Sequence, residues 1–487
     1  MEKRPNILWY CTDQQRFDTI AALGNEDILT PALDRLVHQG FSFTHAYAQS
    51  PVCTPSRASF LTGMYPSALG VNGNGIPEYP DHFADRLITN RIAKEGYRSG
   101  LIGKLHLASA YAGREQRTDD GYHYFRYSHA PNGPALPGHD YAAWIANRGF
   151  DPHEILKPSV SKDEYRRGET VSRFSGLKIP TKESDNTPPD LHQTRWCTEM
   201  AIDFISRNKD NPWFMSVNPF DPHPPFDPPW NYYRRYDPAT LPGAHFQDSD
   251  IAFQTGLADA GVDFQARARH PDTLKAREMQ AAYYAMITQI DHEFGWLLDY
   301  LENNGQRENT IVIFMSDHGE TLGDHGLVTK GVRFYEGTIR VPLIISWPGQ
   351  IKYNCKTSDL VELIDVVPTL YDLLGFPIPY FTQGRSLLDS LTGTAQTSRK
   401  SVRSEAYDCI DYPDGTKATM YRDSRWKLVT YHGKNLQELY DLDSDPWEHR
   451  DLSKNPRYRE TFKRLIQASF DATVNALPRQ EPRIAPY

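Results

Sequence analysis

The stretch Asn6-Ile7-Leu8-Trp9-Tyr10-Cys11-Thr12-Asp13 is a short apolar run, rich in strand-forming residues, that ends on an acid. After it, Thr30 as an N-cap, Pro31 at the first helical position and Gly40 beyond the last turn predict a complete helix. Residues 41–47 are again extended. Short apolar strands that alternate with helices are typical of a parallel sheet covered on both faces. The stretch therefore predicts an α/β fold in which the acid lies at the carboxyl end of a strand.

The same alternation continues along the first three-quarters of the chain. Further helices are predicted over residues 84–95, 199–208 and 279–303, and further strands over residues 97–103, 213–218, 310–315 and 341–347. These patterns predict a large, mostly parallel sheet sandwiched by helices.

The rhythm changes after about residue 375. Residues 424–431 and 436–440 read as strands of a small antiparallel sheet, and residues 458–476 as a closing helix. We therefore predict a catalytic α/β domain over residues 1–375 and a smaller C-terminal α+β subdomain over residues 376–487.

Composition excludes several classes of function. The formal net charge of −9 argues against nucleic acid or an anionic membrane as the main partner. The chain contains no apolar run that approaches the roughly 20 residues of a membrane span. Five cysteines, an odd number without C-x-x-C spacing, disfavour both a disulfide framework and a zinc site. The first strand begins within a few residues of Met1, so we expect a cytoplasmic protein, or a periplasmic or secreted one if a leader has been removed.

Polar and charged side chains follow four of the predicted strands. Ligands of open α/β sheets bind beyond the carboxyl ends of the strands, so these residues are candidates for one site. Each has an ordinary alternative as a helix cap, a hydrogen-bonded loop histidine or a solvated lysine, but their joint placement favours a common site. They are Asp13, Gln14, Lys104, His106, His223, Asp317 and His318.

The segment Ser50-Pro51-Val52-Cys53-Thr54-Pro55-Ser56-Arg57-Ala58-Ser59-Phe60-Leu61-Thr62-Gly63 adds a cysteine to these candidates. Pro55 suits the first position of a helix that runs to about Leu61, which would leave Cys53 just outside a positive helix end that favours anions. Arg57 follows four residues later and can lie on the same face. The alternative is a buried cysteine with a surface arginine.

Residues 53–57 resemble the C-x-P-S-R signature of the type I sulfatases, in the alkaline phosphatase superfamily. The opening strand with Asp13 is similar to the segment whose acidic end binds a cation in that family, and residues 316–319 to its second metal segment. Residues 103–106 are similar to the G-K-x-H motif, residues 222–224 to the segment that carries a substrate histidine, and Lys330 to the lysine that contacts sulfate. The likeness extends to residues 438–446 and so covers nearly the whole chain.

The resemblance implies an alkaline phosphatase-like fold and a formylglycine made from Cys53 by a formylglycine-generating maturation enzyme. It implies a Ca²⁺ site formed by Asp13, Gln14, Asp317, His318 and the modified Cys53, because hard oxygen ligands suit Ca²⁺. Many relatives have an aspartate where this chain has Gln14 and an asparagine where it has His318. These departures leave Mn²⁺ or Mg²⁺ as alternatives. They resemble the branch of choline sulfatases, polysaccharide sulfatases and phosphonate monoester hydrolases.

We hypothesise a mechanism in which each residue has a role. The hydrated aldehyde at position 53, held by the metal and Arg57, attacks sulfur, while Lys104, Lys330 and the cation share the charge of the sulfate oxygens. His223 protonates the leaving alcohol. His106 then removes a proton from the second hydroxyl of the hydrate, and collapse to the aldehyde expels sulfate.

The substrate is predicted less sharply than the reaction. Long stretches over residues 111–190 and 225–273, rich in arginine and aromatic residues, favour a sulfated carbohydrate. A small-molecule sulfate such as choline sulfate, a phosphonate monoester or phosphodiester, and a carbohydrate-binding pseudoenzyme remain alternatives, and a homo-oligomer is compatible with those stretches. Further substrate contacts are predicted at Asn74, Asp324, His325 and Arg333, although the first could equally belong to a turn and the others to a surface network.

Overall fold

The opening strand, β1 (Asn6–Thr12), lies inside a sheet that has nine strands among the described residues. The computed structural model describes residues 4–110, 114–130, 139–156, 177–262, 267–395, 399–410, 415–481 and 485. The other strands of this sheet are β2 (Phe41–Tyr47), β3 (Arg98–Gly103), β4 (Tyr124–Tyr127), β5 (Trp213–Asn218), β6 (Thr310–Ser316), β7 (Arg340–Val341), β8 (Leu343–Ser346) and β9 (Cys355–Glu362).

Most of this sheet is parallel, as the sequence predicts. The strand order is β4-β3-β5-β1-β6-β8-β2-β7, and β9 pairs with β2. The first five strands of that order run parallel to one another. Strand β8 is antiparallel to both β6 and β2, and β7 is antiparallel to β2.

Side chains of β1 alternate between two hydrophobic cores, one on each face of the sheet. Ile7, Trp9 and Cys11 point into one core, and Leu8 and Tyr10 into the other. This period of two is expected for a strand that is covered on both sides. The strand is therefore completely buried and holds the residue that follows it in a fixed position.

Helices cover both faces. The helices Pro31–Gln39, Gln193–Arg207 and Ala276–Asn303 contribute buried side chains to the core of Leu8. The helices Cys53–Thr62, Ile88–Lys94 and Val366–Leu373 contribute to the core of Ile7. The remaining α-helical segments of the described residues are Pro66–Leu69, Asp140–Asn147, Pro152–Ile155, Trp230–Tyr233, Asp248–Asp259, Pro271–Leu274, Glu336–Ile339, Leu388–Thr392 and Arg459–Asn475.

A second sheet lies in the C-terminal part of the chain, as predicted. It is antiparallel, with the order β10 (Val402–Tyr407), β11 (Lys417–Arg422), β12 (Trp426–His432) and β13 (Leu436–Asp441). The helix Arg459–Asn475 packs on this sheet through Leu465. The boundary at residue 375 between the two predicted domains stays a prediction.

Three predicted elements differ in detail. The helix over 199–208 begins six residues earlier and spans Gln193–Arg207. The helix over 84–95 is a 3₁₀ segment, Asp81–Arg86, followed by the helix Ile88–Lys94, because Leu87 has an extended backbone (φ −64°, ψ 126°). Leu87 is fully buried in this conformation, so tertiary packing outweighs helix propensity there. The strand over 341–347 is divided between β7 and β8 at Pro342, which cannot donate a ladder hydrogen bond. Among the described residues, the helices are too short or too polar to cross a bilayer.

Candidate active site

The carboxyl ends of the central strands meet in register. Thr12 of β1 pairs with Ser316 of β6, and Gly103 of β3 pairs with Asn218 of β5. Asp13, Asp317 and Lys104 come directly after three of these positions and are buried. Gly103 has a left-handed backbone (φ 99°), and a Cβ on it would lie 2.0 Å from the carbonyl oxygen of Asn218. The parallel sheet thus brings the predicted site residues together at one edge.

The cysteine lies inside the helix rather than before it. The helix spans Cys53–Thr62 with Val52 as N-cap, so the predicted start at Pro55 is wrong by two residues. Proline is tolerated throughout the first turn, because the N–H groups there have no intrahelical acceptor. Cys53 is 1% exposed and occupies the first helical position, where the helix dipole favours an anion.

Cationic side chains surround the sulfur atom of Cys53. Its Sγ lies 3.1 Å from His318 Nε2, 3.1 Å from Lys330 Nζ and 3.5 Å from Lys104 Nζ. Burial and the Asp13 carboxylate would raise the pKa of the Cys53 thiol, but the two lysines and His318 hold it well below its usual value. The site is therefore built to hold negative charge at position 53.

Cationic side chains also hold the two aspartates of the site, Asp13 and Asp317. Lys104 Nζ donates to Asp13, and Arg57 Nε donates to Asp317 Oδ2 at 2.8 Å. Burial would raise the pKa of Asp13, but Lys104, His223 and Arg57 lower it well below its usual range. Arg57 also donates to the carbonyl oxygen of Lys104 at 3.0 Å, so it ties the cysteine helix to β3 and β6.

The donor set fits a divalent cation. Asp13, Cys53, Asp317 and His318 are buried, and each offers a ligand atom within 4.8 Å of the others. His318 Nδ1 donates to the carbonyl of Gly319 at 2.9 Å, which orients Nε2 towards this group. Two carboxylates and one imidazole nitrogen accommodate Ca²⁺, Mn²⁺ or Mg²⁺.

Gln14, the fifth predicted metal ligand, has its oxygen at the edge of this group. Its Oε1 accepts from Lys330 Nζ at 2.7 Å, and its Nε2 donates to Glu320. The backbone of Gln14 is left-handed (φ 69°), which is uncommon for a residue with a side chain, and Tyr283 donates to its carbonyl oxygen at 2.6 Å. Such strained positions cluster at functional sites.

The first predicted proton carrier, His106, is also left-handed (φ 56°). The carboxylate of Glu115 accepts its backbone N–H at 2.8 Å, and the His129 ring packs edge-on at 4.3 Å. Its Nδ1 is buried without a hydrogen-bond partner among the described residues. Burial and Lys104 lower the pKa of His106 well below its usual value, so the ring is a neutral base at pH 7.

The second, His223, is half-buried and lies beside the Phe220 ring at 4.4 Å. Its Nδ1 donates to the carbonyl of Pro224 at 2.6 Å, so Nε2 is left to face a ligand. Burial and Lys330 lower the pKa of His223 well below its usual value. An anion bound beside this ring would favour its protonated form.

The predicted substrate residues have different surroundings. Asn74 Oδ1 accepts the backbone N–H of Thr54 at 2.9 Å and so braces the start of the cysteine helix. Asp324 forms an ion pair with Arg16 at 2.7 Å.

His325 and Arg333 belong to another group of side chains. The His325 ring stacks on Tyr335 at 3.7 Å, and Arg333 Nε donates to Gln254 at 2.8 Å. Substrate contacts by Asp324, His325 and Arg333 stay predictions.

Three residues of the site were missed by the sequence analysis. Glu320 binds the Gln14 amide and the backbone N–H groups of Leu322 and Thr329, and its position three residues after Asp317 could have revealed it. His129 follows β4, which lies in the long stretch over residues 111–190 where the sequence analysis predicts no strand. Glu115 carries no local pattern, because its carboxylate reaches His106 only through the tertiary fold.

A family model described as "Sulfatase" matches residues 5–376, and one described as "N-sulphoglucosamine sulphohydrolase, C-terminal" matches residues 323–473. The chain belongs to the sulfatase family. An arylsulfatase of Clostridium perfringens is 30% identical over 481 residues, covering 95% of this chain and 93% of the relative. An N-acetylglucosamine-6-O-sulfatase of Bacteroides thetaiotaomicron is 26% identical, covering 96% and 85%.

Solved structures agree with this assignment. The phosphonate monoester hydrolase of Agrobacterium radiobacter superposes with a TM-score of 0.78 at 25% identity, over 97% of this chain and 96% of that one. The predicted alkaline phosphatase-like fold is confirmed, and this sulfatase is a sulfuric ester hydrolase.

Proposed function

We propose that this sulfatase removes sulfate from a sulfated carbohydrate and that Cys53 is its formylglycine precursor. The observation that carries the proposal is the position of Cys53 Sγ, which lies within 3.5 Å of Lys104, Lys330 and His318 at the start of a buried helix. A thiol has no need of so many cations, whereas an attacking oxygen and the sulfate it receives both carry negative charge.

Maturation converts the CH₂–SH of Cys53 to an aldehyde, with loss of sulfur and two hydrogens and gain of one oxygen, and the maturation enzyme supplies the oxidant. Hydrated formylglycine supplies an oxygen nucleophile and a second hydroxyl. Asp13, Asp317, His318 and residue 53, with Gln14 at their edge, would hold a divalent cation, which would supply Lewis-acid polarisation of a sulfate oxygen.

The remaining residues of the site act directly on the substrate or on protons. Lys104 and Lys330 lie on either side of position 53 and neutralise the non-bridging oxygens of sulfate. His223 Nε2 faces the ligand and protonates the leaving alcohol. The neutral His106 ring accepts the proton that must leave before sulfate is released.

A sulfated sugar is favoured over an aryl sulfate for two reasons. A relative that covers nearly the whole chain is an N-acetylglucosamine-6-O-sulfatase, and a sugar alcohol, unlike a phenol, is a poor leaving group that needs the acid supplied by His223. Phosphonate monoester hydrolysis is the second candidate, because the similar structure from Agrobacterium radiobacter carries that activity in its name and phosphorus offers the same tetrahedral oxyanion.

Side-by-side kinetics test this proposal. Protein made with a formylglycine-generating system is assayed on sulfated monosaccharides, an aryl sulfate, choline sulfate and an aryl phosphonate monoester at equal concentrations. We expect the highest kcat/KM on a sulfated monosaccharide. A higher value on the phosphonate ester would favour the second candidate, and a higher value on choline sulfate would contradict the carbohydrate assignment. Binding of sulfated sugars without turnover of any ester would contradict the enzymatic proposal.

A further inference from the structure

A second group of metal-binding side chains lies apart from Cys53. Asp250, His325 and His449 each offer a ligand atom within 4.8 Å of the others. His325 Nδ1 lies 3.6 Å from Asp250 Oδ1, and His449 Nδ1 lies 3.3 Å from Oδ1 and 3.0 Å from Oδ2. The two aspartates of the active site take no part in this group.

These nitrogen-to-oxygen distances are close to the distance between two ligand atoms bound to one metal ion. Zinc binds nitrogen and oxygen ligands at roughly 2.0–2.1 Å, and a tetrahedron with such bonds has edges of about 3.3–3.4 Å. The observed separations of 3.3 and 3.6 Å lie close to that edge. Two imidazoles and one carboxylate are also a donor set that suits zinc, with a fourth position left for water.

Each ligand is oriented by contacts outside the group. Asp250 Oδ2 accepts the backbone N–H of Gln247 at 2.9 Å and also lies 3.0 Å from His449 Nδ1, while Oδ1 lies 3.6 Å from His325 Nδ1. His325 stacks on Tyr335, and its left-handed backbone (φ 55°) holds the ring inward. Supporting contacts of this kind fix metal ligands in place before the ion binds.

The turn that presents His449 is built in the same way. The carboxylate of Asp445 accepts the N–H groups of His449 at 3.1 Å and of Arg450 at 2.8 Å. Glu448, the residue before His449, has a left-handed backbone (φ 63°). Asp250 and His325 are buried, and the His449 side chain is 12% exposed, which gives an ion an entry path.

We propose that Asp250, His325 and His449 bind a zinc ion that joins three separate segments of the chain. The ligands come from the helix Asp248–Asp259, from the loop that leads to Lys330, and from the turn after the C-terminal sheet. The ion holds the Lys330 loop against the C-terminal part of the chain. It is distinct from the divalent cation of the active site, so the proposal is independent of the substrate.

The ordinary alternative is a hydrogen-bonded group in which both histidines donate to Asp250. It requires no metal. The two accounts differ in zinc stoichiometry and in the response of stability to zinc, so both quantities are measured on the full-length protein.

Full-length protein is stripped of metal, incubated with Zn²⁺ in the presence of excess Ca²⁺ and dialysed, and zinc is counted by mass spectrometry of the elements. The variants are His449→Gln and Asp250→Asn. The control is His270→Gln, which removes an exposed histidine that also lies beside an aspartate, with His270 Nδ1 3.5 Å from Asp272.

We expect the wild type and His270→Gln to retain one zinc more per chain than the other two variants. Zinc should raise the Tm of the wild type and of His270→Gln by several degrees but leave that of His449→Gln unchanged. Because Asp250→Asn could fail to fold, a cobalt spectrum of the wild type provides a second measurement. Absorption bands of four-coordinate cobalt that disappear in His449→Gln support the site. Equal zinc content in the wild type and His449→Gln, or an equal Tm response, would overturn the proposal.

Discussion

The molecule contains two buried clusters of lysines and carboxylates that differ in what the lysines contact. At Lys427, in β12, the ammonium group meets three oxygen acceptors: Glu336 at 2.8 Å, Glu448 at 2.6 Å and the carbonyl of Phe334 at 2.9 Å. At Cys53, by contrast, Lys104 and Lys330 each direct one contact at a sulfur atom, which is a weak acceptor. The first cluster is complete and stabilises the packing of the C-terminal sheet, whereas the second is left ready for an anion.

The comparison separates stability from chemistry. Lys427 donates a hydrogen bond to the carbonyl of Phe334 and forms ion pairs with two buried carboxylates. Removal of Lys427 should therefore lower the free energy of unfolding, and removal of residues around Cys53 should lower activity.

Cys53→Ala should lower kcat by about 10⁵-fold or more, because the nucleophile and its cation ligand are lost together. The variant should still fold, because Lys104 and Arg57 keep their contacts with Asp13 and Asp317. Turnover of an aryl sulfate and urea unfolding are measured on the same preparation. Cys197→Ala, which removes a buried cysteine on the other face of the sheet, is the control and should keep its activity. A Cys53→Ala variant with parental turnover would end the assignment of the site.

His223→Gln should lower kcat by about 10²–10⁴-fold on sulfated sugars and much less on an aryl sulfate with an acidic phenol, because only the poor leaving group needs a proton. The measurement is kcat on both substrates for the same enzyme. His292→Gln, at a mostly exposed histidine, is the matched control. Equal losses on both substrates would show that His223 binds sulfate and does not protonate the alcohol.

Lys427→Met should lower the free energy of unfolding by about 3–5 kcal/mol, because two buried carboxylates lose its ammonium group. Glu336 keeps ion pairs with Arg340 and Arg422, but Glu448 has no other ion pair among the described residues. Arg425→Met, in the same region, removes an ion pair with Asp441 whose arginine is 51% exposed, and should cost no more than about 1 kcal/mol. Both are measured by urea unfolding. Similar losses in the two variants would mean that the Lys427 cluster contributes no more than a surface ion pair.

Asp291 shows what happens to a buried carboxylate that is held by backbone N–H groups rather than by lysine. It accepts from Leu33 at 2.7 Å and from Ala32 at 3.1 Å, and burial raises its pKa from 3.8 to about 7. The folded state then binds a proton that the unfolded state has lost. This contribution to stability is complete below about pH 4 and is lost as the pH rises through about 7.

The slope is at most about 1.4 kcal/mol per pH unit. Asp291→Asn should therefore flatten the fall in unfolding free energy between pH 5 and pH 7, measured by urea unfolding at both values. A slope that is unchanged in the variant would place the pKa of Asp291 near its ordinary value.

Much of the fold could be predicted from local patterns. The strands β1, β5 and β6 are largely apolar runs that are buried on both faces, a pattern that predicts strands of a central parallel sheet. The carboxyl ends of β1 and β6 indicated Asp13 and Asp317. The start of the cysteine helix was placed wrongly, because proline is accepted at any position of a first turn. The break at Leu87 could not be predicted either, since it depends on burial of that side chain.

Contacts between distant segments were beyond the sequence. Glu115 accepts from the backbone of His106, and Asp250 lies beside His325 and His449, only because the tertiary fold brings distant segments together. No periodicity marks such residues. The resemblance to the sulfatase family indicated the metal and sulfate residues without any such periodicity. It indicated neither the contact of Glu115 with His106 nor the group of Asp250, His325 and His449.

Mass spectrometry of the tryptic peptide Leu36–Arg57 tests the central claim most directly. In enzyme that turns over a sulfate ester, the account predicts that residue 53 has lost sulfur and two hydrogens and gained one oxygen, in proportion to the specific activity of the preparation. An active preparation in which Cys53 is wholly unmodified would contradict it, because the cationic site would then serve a thiol and not the oxygen nucleophile for which its charges are arranged.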